Sequence, residues 1–170
     1  MSGVMHKNQM TKIEITPIKK DCYHVLSVMV GELLSEIMDV INEKAFNYDE
    51  RATEKRAKDL IEKDKYWVFI AKEKTSGEFI GFVSLYESYA LYSEGAYGTI
   101  PELYVRPNWR SRNVGFKLLK SAIEFGETKK WHRLEVTTPP LPEFERTLQF
   151  YKSNKFKISG GRKLMVEINA

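Results

Sequence analysis

The stretch "VRPNWRSRNVG" (residues 105–115) changes character halfway and decides how the rest of the chain is interpreted. It begins like the end of an apolar strand and finishes like the first turn of a helix. Between these ends lie three arginines and several turn-forming residues, with no acidic residue. A helix that starts directly after a strand leaves its first backbone N–H groups without internal acceptors, at the positive end of the helix dipole. The stretch therefore predicts an anion-binding turn, with an ordinary solvated basic turn as the alternative.

Two residues of this turn suit close approach by a ligand. Gly115 has no side chain, and Asn113 belongs to the few residue types other than glycine that adopt left-handed geometry readily. Arg110 and Arg112 add positive charge at the mouth of the turn. The ligand that this combination favours is a phosphate group.

The segments before the turn are predicted as short strands and two helices. Apolar residues recur at helical spacing between Asp21 and Ile41, with Asp21 as the expected N-cap. A break in the ladder is expected at Pro101, because proline has no N–H to donate. The predicted elements are a strand at 13–18, helices at 21–41 and 49–63, antiparallel strands at 66–73 and 77–88, and a strand at 97–107.

The segments after the turn complete the predicted fold. A helix follows Asn113, because apolar and charged residues fall on opposite sides of it. A strand is then predicted at 133–139, a helix at 142–153, and a closing strand pair at 155–160 and 162–169. A strand, a helix and another strand in succession imply a crossover between parallel neighbours. The fold class predicted is therefore an α/β (α+β) sandwich.

Composition narrows the class of protein further. The length of 170 residues predicts one domain over 1–170, with a loose N-terminus of about ten residues. The net charge of +4 is mild, so nucleic acid is not the favoured partner. Cys22 is the only cysteine, which predicts a reducing, cytoplasmic location. No apolar stretch reaches the roughly 20 residues needed to span a bilayer, and the scattered histidines predict no metal site, so neither membrane nor metal is expected.

The segment "ELYVRPNWRSRNVG" (102–115) resembles the cofactor motif of the GNAT N-acetyltransferase superfamily. In that family a strand of the form L-x-V-x-P leads into Arg/Gln-x-x-Gly-x-Gly/Ala. The departure is Asn113, where the family usually has glycine. Asparagine keeps the turn geometry but adds a side chain near the phosphates, which leaves weaker cofactor affinity as an alternative. The matching residues are Leu103, Val105, Pro107, Arg110, Val114 and Gly115.

A second resemblance lies in "LQFYKSNKF" (148–156). It is similar to the family's late helix, which ends in Phe/Leu-Tyr-x-x-x-Gly-Phe, with Tyr151 and Phe156 at the matching positions. Lys155 stands where glycine is usual, and Phe144 replaces an asparagine often found two turns earlier, so no role is transferred to Phe144. The two motifs, in this order and spacing, resemble a bacterial-type small acetyltransferase. They imply a mixed, mostly antiparallel sheet with a V-shaped splay between two parallel strands and helices on both faces.

The resemblance implies acetyl-CoA as cosubstrate and no metal. Its diphosphate would lie on backbone N–H groups of the turn, and its pantetheine arm would lie between the strands containing Leu103–Val105 and Glu135–Thr137. The implied cofactor-binding residues are Leu103, Tyr104, Val105, Arg110, Ser111, Arg112, Asn113, Val114, Gly115 and Phe116.

Acyl transfer to an amine requires a neutral amine, a polarised carbonyl and a stabilised leaving sulfur. Neutralising an alkyl amine at pH 7 costs about 4–5 kcal/mol, against roughly 2 kcal/mol for a thiolate, so a base matters more than an acid. Glu102 is the candidate base, with an exposed strand glutamate as the alternative. The resemblance implies Tyr151 as the acid, with a core tyrosine as the alternative. The N–H of Leu103 or of a neighbour is expected to polarise the carbonyl.

The acceptor is less well defined by the sequence. The hairpin at 84–98 combines four tyrosines with two glutamates, which suits an ammonium group; a plain surface hairpin or a homodimer contact is the alternative. The loop at 42–50 resembles the family's variable acceptor-lining loop. The function expected is acyl-CoA-dependent transfer, in a ternary complex, of an acetyl group to a small-molecule or peptide amine. The alternatives are a non-catalytic acyl-CoA-binding regulatory module and a basic nucleic-acid-binding domain.

Overall fold

The computed structural model describes residues 12–168. The loose N-terminus expected from the sequence lies outside these described residues. The chain divides into two compact units, Met1–Thr137 and Thr138–Ala170, and each has its own internal structure. The single domain expected over 1–170 stays a prediction.

The first unit contains two helices, a strand-rich middle and a third helix between its last two strands. Its elements follow the order predicted from the sequence. They are β1 (Ile13–Pro17), α1 (Tyr23–Ile41), α2 (Glu50–Glu62), β2 (Trp67–Glu73), β3 (Phe79–Ala90), β4 (Gly95–Ile100), β5 (Leu103–Val105), α3 (Val114–Thr128) and β6 (Leu134–Val136).

The strands form one mixed sheet of six strands in the order β1-β2-β3-β4-β6, with β5 paired to β3. The long strand β3 pairs with β5 through its first half and with β4 through its second half. All of these pairs are antiparallel except β4 with β6, which is parallel. The crossover through α3 that the sequence predicted is therefore confirmed.

Helices cover both faces of the sheet because β2 alternates apolar residues toward each of them. On one face Val68 and Ile70 pack in a buried cluster with Leu26 of α1. On the other face the rings of Trp67 and Phe69 lie 5.3 and 5.6 Å from the ring of Phe125 in α3. The two clusters place α1 and α3 on opposite sides of the strands that carry the site.

The predicted N-cap at Asp21 is wrong. A 3₁₀ turn, Lys20–Cys22, precedes α1, and Cys22 occupies the N-cap position without a side-chain cap. Asp21 lies inside that turn, where its carboxylate accepts from the neighbouring Cys22 thiol at 3.6 Å. In α2, by contrast, the Asp49 carboxylate caps the helix by accepting from the Ala52 N–H at 2.7 Å.

The second unit contains α4 (Glu145–Ser153), which begins three residues later than the sequence predicted. The closing strand pair predicted at 155–160 and 162–169 is wrong for the described residues, which form no strand there. Ile158 and Leu164 are 73% and 90% exposed. An alternating pattern specifies which residues share a face, but a strand also needs a hydrogen-bonded neighbour, and this segment has none in the described ladders.

Candidate active site

The backbone of the turn between β5 and α3 has the geometry predicted for an anion site. Ser111 and Asn113 both adopt left-handed conformations, with φ of 59° and 62°. Asn113 is the N-cap of α3, and its side chain makes no capping hydrogen bond. The conformational prediction for Asn113 is confirmed: asparagine holds the turn where the family's usual residue is glycine.

The first turn of α3 presents backbone donors that have no acceptor within the helix. The Lys117 N–H bonds the carbonyl of Asn113 at 3.0 Å and is the first to find a helical acceptor. The N–H groups of Val114, Gly115 and Phe116 precede it, so helix geometry gives them no internal partner. The Val114 side chain is buried and anchors the helix start. The three N–H groups point out of the helix at the positive end of its dipole.

Arg110 holds the turn in shape. Its Nε donates to the carbonyl of Val105 at 2.9 Å, and its guanidinium pairs with Glu36 of α1 at 2.6 Å. Its backbone N–H donates to Pro107 at 3.2 Å. Because both its side chain and its N–H have protein partners, Arg110 ties the turn to β5 and to α1.

Two other arginines of the stretch have different surroundings. Arg106 bonds both carboxylate oxygens of Glu32 at 2.9 and 3.1 Å and the carbonyl of Phe79 at 2.8 Å. Arg112 lies over the ring of Trp109, with its guanidinium carbon 5.1 Å from the ring centre. Arg106 is therefore a structural residue, whereas the charge of Arg112 has no carboxylate partner among the ion pairs of the described residues.

The parallel strands separate beside this turn. The pairing of β4 with β6 ends at Ile100 and Val136. Among residues 12–168, β5 pairs only with β3. Within this range the side of β5 that faces away from β3 is therefore an open strand edge, as the splay implied by the family resemblance requires.

The hydrogen bonds to β3 specify which groups face this open edge. The Ser84 N–H donates to the carbonyl of Glu102, and the Arg106 N–H donates to the carbonyl of Ile80, both at 2.9 Å. Alternation in an antiparallel ladder then directs the N–H groups of Leu103 and Val105 away from β3. These two amides lie along the open edge, a few residues before the turn that leads into α3.

Tyr104, which was expected among the cofactor-binding residues, lies with its side chain in the core. It is buried with Phe82, and the two ring centres are 6.4 Å apart. Burial, reinforced by Glu32, raises the pKa of the Tyr104 phenol to about 12. Its hydroxyl therefore stays protonated at physiological pH, and only its backbone lies along the strand edge.

Glu102 lies in the break between β4 and β5, and two hydroxyls hold its carboxylate. Tyr66, just before β2, and Ser84 of β3 both donate to Oε2 of Glu102. Tyr66 also reaches Ser84 Oγ at 3.3 Å. Burial, and then the nearby charge of Glu102, raise the pKa of Tyr66 well above its ordinary value, so it remains a donor. The alternative of a freely exposed strand glutamate is not what the structure shows.

The sequence interpretation did not identify Tyr66 or Ser84. Ser84 gave a signal, because it is a lone polar residue in the apolar run "FVSLY" (82–86). Tyr66 gave none, because it lies 36 positions before Glu102 and heads an apolar strand like any other aromatic residue. Strand register alone brings these residues together.

Tyr151 belongs to the second unit, where it is buried at 5% exposure. Its ring lies 5.2 Å from that of Phe150 and 5.3 Å from that of Phe156. Burial raises the pKa of the Tyr151 phenol, so the phenol is protonated at neutral pH. Both the core interpretation and the acid interpretation are compatible with this environment.

The end of α4 explains how lysine replaces glycine in the second motif. The Phe156 N–H donates to the carbonyl of Tyr151, and the Lys155 N–H to that of Lys152, both at 3.1 Å. This pair of bonds is a Schellman motif, whose penultimate position is left-handed. Lys155 occupies that position with φ of 68°, so this departure also preserves the backbone.

Replacing Lys155 with glycine is expected to stabilise the protein by about 0.5–1 kcal/mol, because glycine adopts the left-handed conformation without the steric cost that lysine bears. Urea unfolding measures the change. Lys157→Gly is the matched control, because Lys157 is not among the positive-φ residues and should gain nothing. Equal effects at the two positions would show that the strain at Lys155 is negligible.

The hairpin expected to bind an ammonium group already contains internal partners. Arg133 lies over the rings of Tyr92 and Tyr97, at 5.3 and 4.6 Å from their centres. Glu87 accepts from the indole N–H of Trp131 at 2.6 Å and from the Tyr89 hydroxyl. These contacts occupy much of the charge and ring surface that the sequence had suggested for an acceptor.

The segment between α1 and α2 is anchored by Tyr48. Its hydroxyl donates to the carbonyl of Ser27 at 2.6 Å. A Cβ built on Gly31 would lie 2.5 Å from the Tyr48 ring. Glycine at position 31 therefore lets this segment pack directly on α1.

Two negative findings apply to the described residues. Over 12–168 no three metal-ligating side chains of His, Cys, Asp or Glu type come together. In the same range no helix combines the length and the apolar character needed to cross a membrane.

The fold and the site together define a mixed α/β domain in which the start of α3 lies beside the open edge of β5. The acetyltransferase (GNAT) family matches residues 21–156. The chain belongs to this family. The family resemblance seen in the two sequence motifs is therefore confirmed. The predicted class of enzyme, N-acetyltransferase, is confirmed as well.

Individual relatives agree with this assignment. An uncharacterized N-acetyltransferase of Archaeoglobus fulgidus is 33% identical over 67 residues, which cover 39% of this chain and 44% of that protein. The chain thus aligns with less than half the length of this relative.

Solved structures share the whole fold. An aminoglycoside N-acetyltransferase in complex with CoA superposes with a TM-score of 0.75 at 16% identity, covering 94% of this chain and 97% of that one. A possible acetyltransferase from Clostridium difficile 630 gives a TM-score of 0.75 at 12% identity, covering 93% and 99%. At these identities the likeness establishes the fold, and it confirms the predicted fold class.

Proposed function

We propose that this protein is an N-acetyltransferase that moves the acetyl group of acetyl-CoA directly to a primary amine within a ternary complex. The observation that carries the proposal is one continuous segment, 103–116. It offers an open strand edge followed by a left-handed turn and three N–H groups of the first helical turn, which have no acceptor within the helix. A diphosphate joined to an extended, amide-containing arm is complementary to this succession of donors.

Two groups of backbone donors would bind acetyl-CoA, one at its diphosphate and the other along its pantetheine arm. The N–H groups of Val114, Gly115 and Phe116 would hold the diphosphate, with Arg112 adding charge. The N–H groups of Leu103 and Val105 would bond the pantetheine arm along the open edge. Arg110 keeps the turn closed through Val105 and Glu36.

The proposed chemistry divides between a base, a donor to the carbonyl and an acid. Glu102 removes the proton of the amine, directly or through one water, so that nitrogen attacks the thioester carbon. The Leu103 N–H stabilises the oxygen that becomes negative in the transition state. Tyr151, which is protonated at neutral pH, gives a proton to the departing sulfur.

The acceptor proposed is a small-molecule or peptide amine. Support for a small molecule comes from the structural neighbour that is an aminoglycoside N-acetyltransferase. A cytoplasmic location and a homodimer remain our proposals from the sequence.

Thermal unfolding with acetyl-CoA tests cofactor use. At a concentration 100 times its dissociation constant, the ligand should stabilise the protein by about 2.7 kcal/mol. For a protein of this size, that corresponds to a rise in Tm of about 5–10 °C. Adenosine is the control, because it lacks the diphosphate and the arm, and it should shift Tm very little. No shift with acetyl-CoA would contradict the proposal.

A second assay separates the enzyme from a non-catalytic acyl-CoA-binding module. The release of free CoA thiol is followed with four amine acceptors: spermidine, an aminoglycoside, lysine and a peptide whose N-terminal residue is alanine. The enzyme should release thiol faster with at least one of them than without any amine. Stabilisation by acetyl-CoA with no amine-dependent release would favour the regulatory module instead.

A further inference from the structure

Within the described part of the chain, the hydrogen bonds to the Glu102 carboxylate all go to one oxygen. Tyr66 and Ser84 both donate to Oε2, and neither bonds Oε1. The two donors come from different segments, one preceding β2 and the other within β3. Ser84 is fully buried. The two donors therefore hold Oε2 from two directions, and neither of them occupies Oε1.

We propose that Tyr66 and Ser84 are positioning residues, which fix Glu102 so that Oε1 is left to accept the proton of the amine. The inference rests on the proposed function of Glu102 as the base. A glutamate side chain has substantial rotamer freedom, and ordering it costs conformational entropy. Because the fold places two hydroxyl donors against Oε2, the Glu102 side chain is already ordered before the acceptor binds.

The two donors differ in what else they do. Ser84 Oγ also accepts from the Glu102 N–H at 3.1 Å, and so it closes the strand break as well. Tyr66 stacks on Tyr86 with 6.3 Å between ring centres and 15° between their planes. Phenylalanine at position 66 keeps that ring contact and removes only the hydroxyl. Tyr66→Phe is therefore the decisive variant.

The test is a double-mutant cycle on turnover with acetyl-CoA and the fastest amine of the four named above. Tyr66→Phe should lower kcat about tenfold and leave KM for both substrates within about twofold, because it loosens the base without removing a binding group. In a Glu102→Gln background the same change should lower kcat less than about twofold, because there is no longer a base to position. Ser84→Ala should show the same dependence, with a lower Tm.

Tyr23→Phe is the matched control for removing a hydroxyl. Tyr23 is also buried, at the first residue of α1, and its hydroxyl is not a donor to Glu102. This control should keep kcat within about twofold of the unsubstituted protein, since surface and core hydroxyls outside the site have no part in the reaction.

The outcomes separate the inference from the proposed function. An equal loss of kcat on Tyr66→Phe in both backgrounds would overturn positioning through Glu102, as would no loss at all when Glu102→Gln is strongly impaired. If Glu102→Gln does not lower kcat, Glu102 is not the base, and the inference fails together with that role. If none of the four amines is acetylated, crystal structures decide. The inference then requires the Glu102 carboxylate to leave its place in Tyr66→Phe, and an unmoved carboxylate overturns it.

Discussion

Replacing Glu102 with glutamine is expected to lower kcat at pH 7 by about 100-fold or more, the usual contribution of a general base. Glutamine has nearly the same shape and still accepts hydrogen bonds from Tyr66 and Ser84, so the site should keep its structure. What is lost is the group that removes the proton of the amine. Steady-state kinetics with acetyl-CoA at a saturating amine concentration give the ratio.

The loss should shrink as the pH rises. An alkyl amine has a pKa near 10.4, so its neutral fraction grows about 100-fold between pH 7 and pH 9. At the higher pH more of the amine arrives already neutral, and the base has less to contribute. The ratio of unsubstituted to Glu102→Gln turnover should therefore be larger at pH 7 than at pH 9.

Glu127→Gln is the matched control for the chemical change. Glu127 is exposed near the end of α3, and its replacement should leave kcat within about twofold at both pH values. An equal loss at pH 7 and pH 9 for Glu102→Gln would exclude the role of Glu102 as a base. It would point to a structural contribution at the strand break instead.

Local signals in the sequence were sufficient for the turn that carries the site. The strand end, the basic residues and Gly115 are all contained in residues 105–115, and their geometry depends on backbone preferences within that stretch. Asn113 illustrates the point: its tolerance of positive φ is an intrinsic property, and the structure places it at 62°. The same reasoning does not extend to Lys155, because lysine has no such preference and the end of α4 imposes its left-handed conformation.

Contacts between distant segments could not be predicted in this way. The sequence predicted that the charge of Arg110 would face a ligand. In the structure its guanidinium forms an ion pair with Glu36, which lies 74 positions earlier. The Tyr66–Glu102 hydrogen bond likewise depends on the register of β3 against its neighbours, which no local pattern specifies. The closing strand pair failed for a related reason, because periodicity cannot show whether a partner strand is present.

Replacing Gly115 with valine is expected to weaken the binding of CoA by about 100-fold, which corresponds to losing roughly 3 kcal/mol. Hydrogen bonds to charged groups contribute about 1.5–3 kcal/mol each. A branched side chain at position 115 would keep the diphosphate from the N–H groups of Val114 and Phe116, so the loss of one or two such bonds accounts for the effect. Calorimetric titration with CoA measures it.

Lys120→Val is the control for this substitution, because it introduces the same side chain into the same helix at an exposed position. Position 120 lies more than a turn beyond the first N–H groups of α3, so a valine there does not approach the diphosphate. Its affinity for CoA should stay within about twofold, and both variants should remain folded by circular dichroism. If folded Gly115→Val binds CoA as tightly as the unsubstituted protein, the diphosphate does not lie on the start of α3, and the proposed path of the cofactor along 103–116 is wrong.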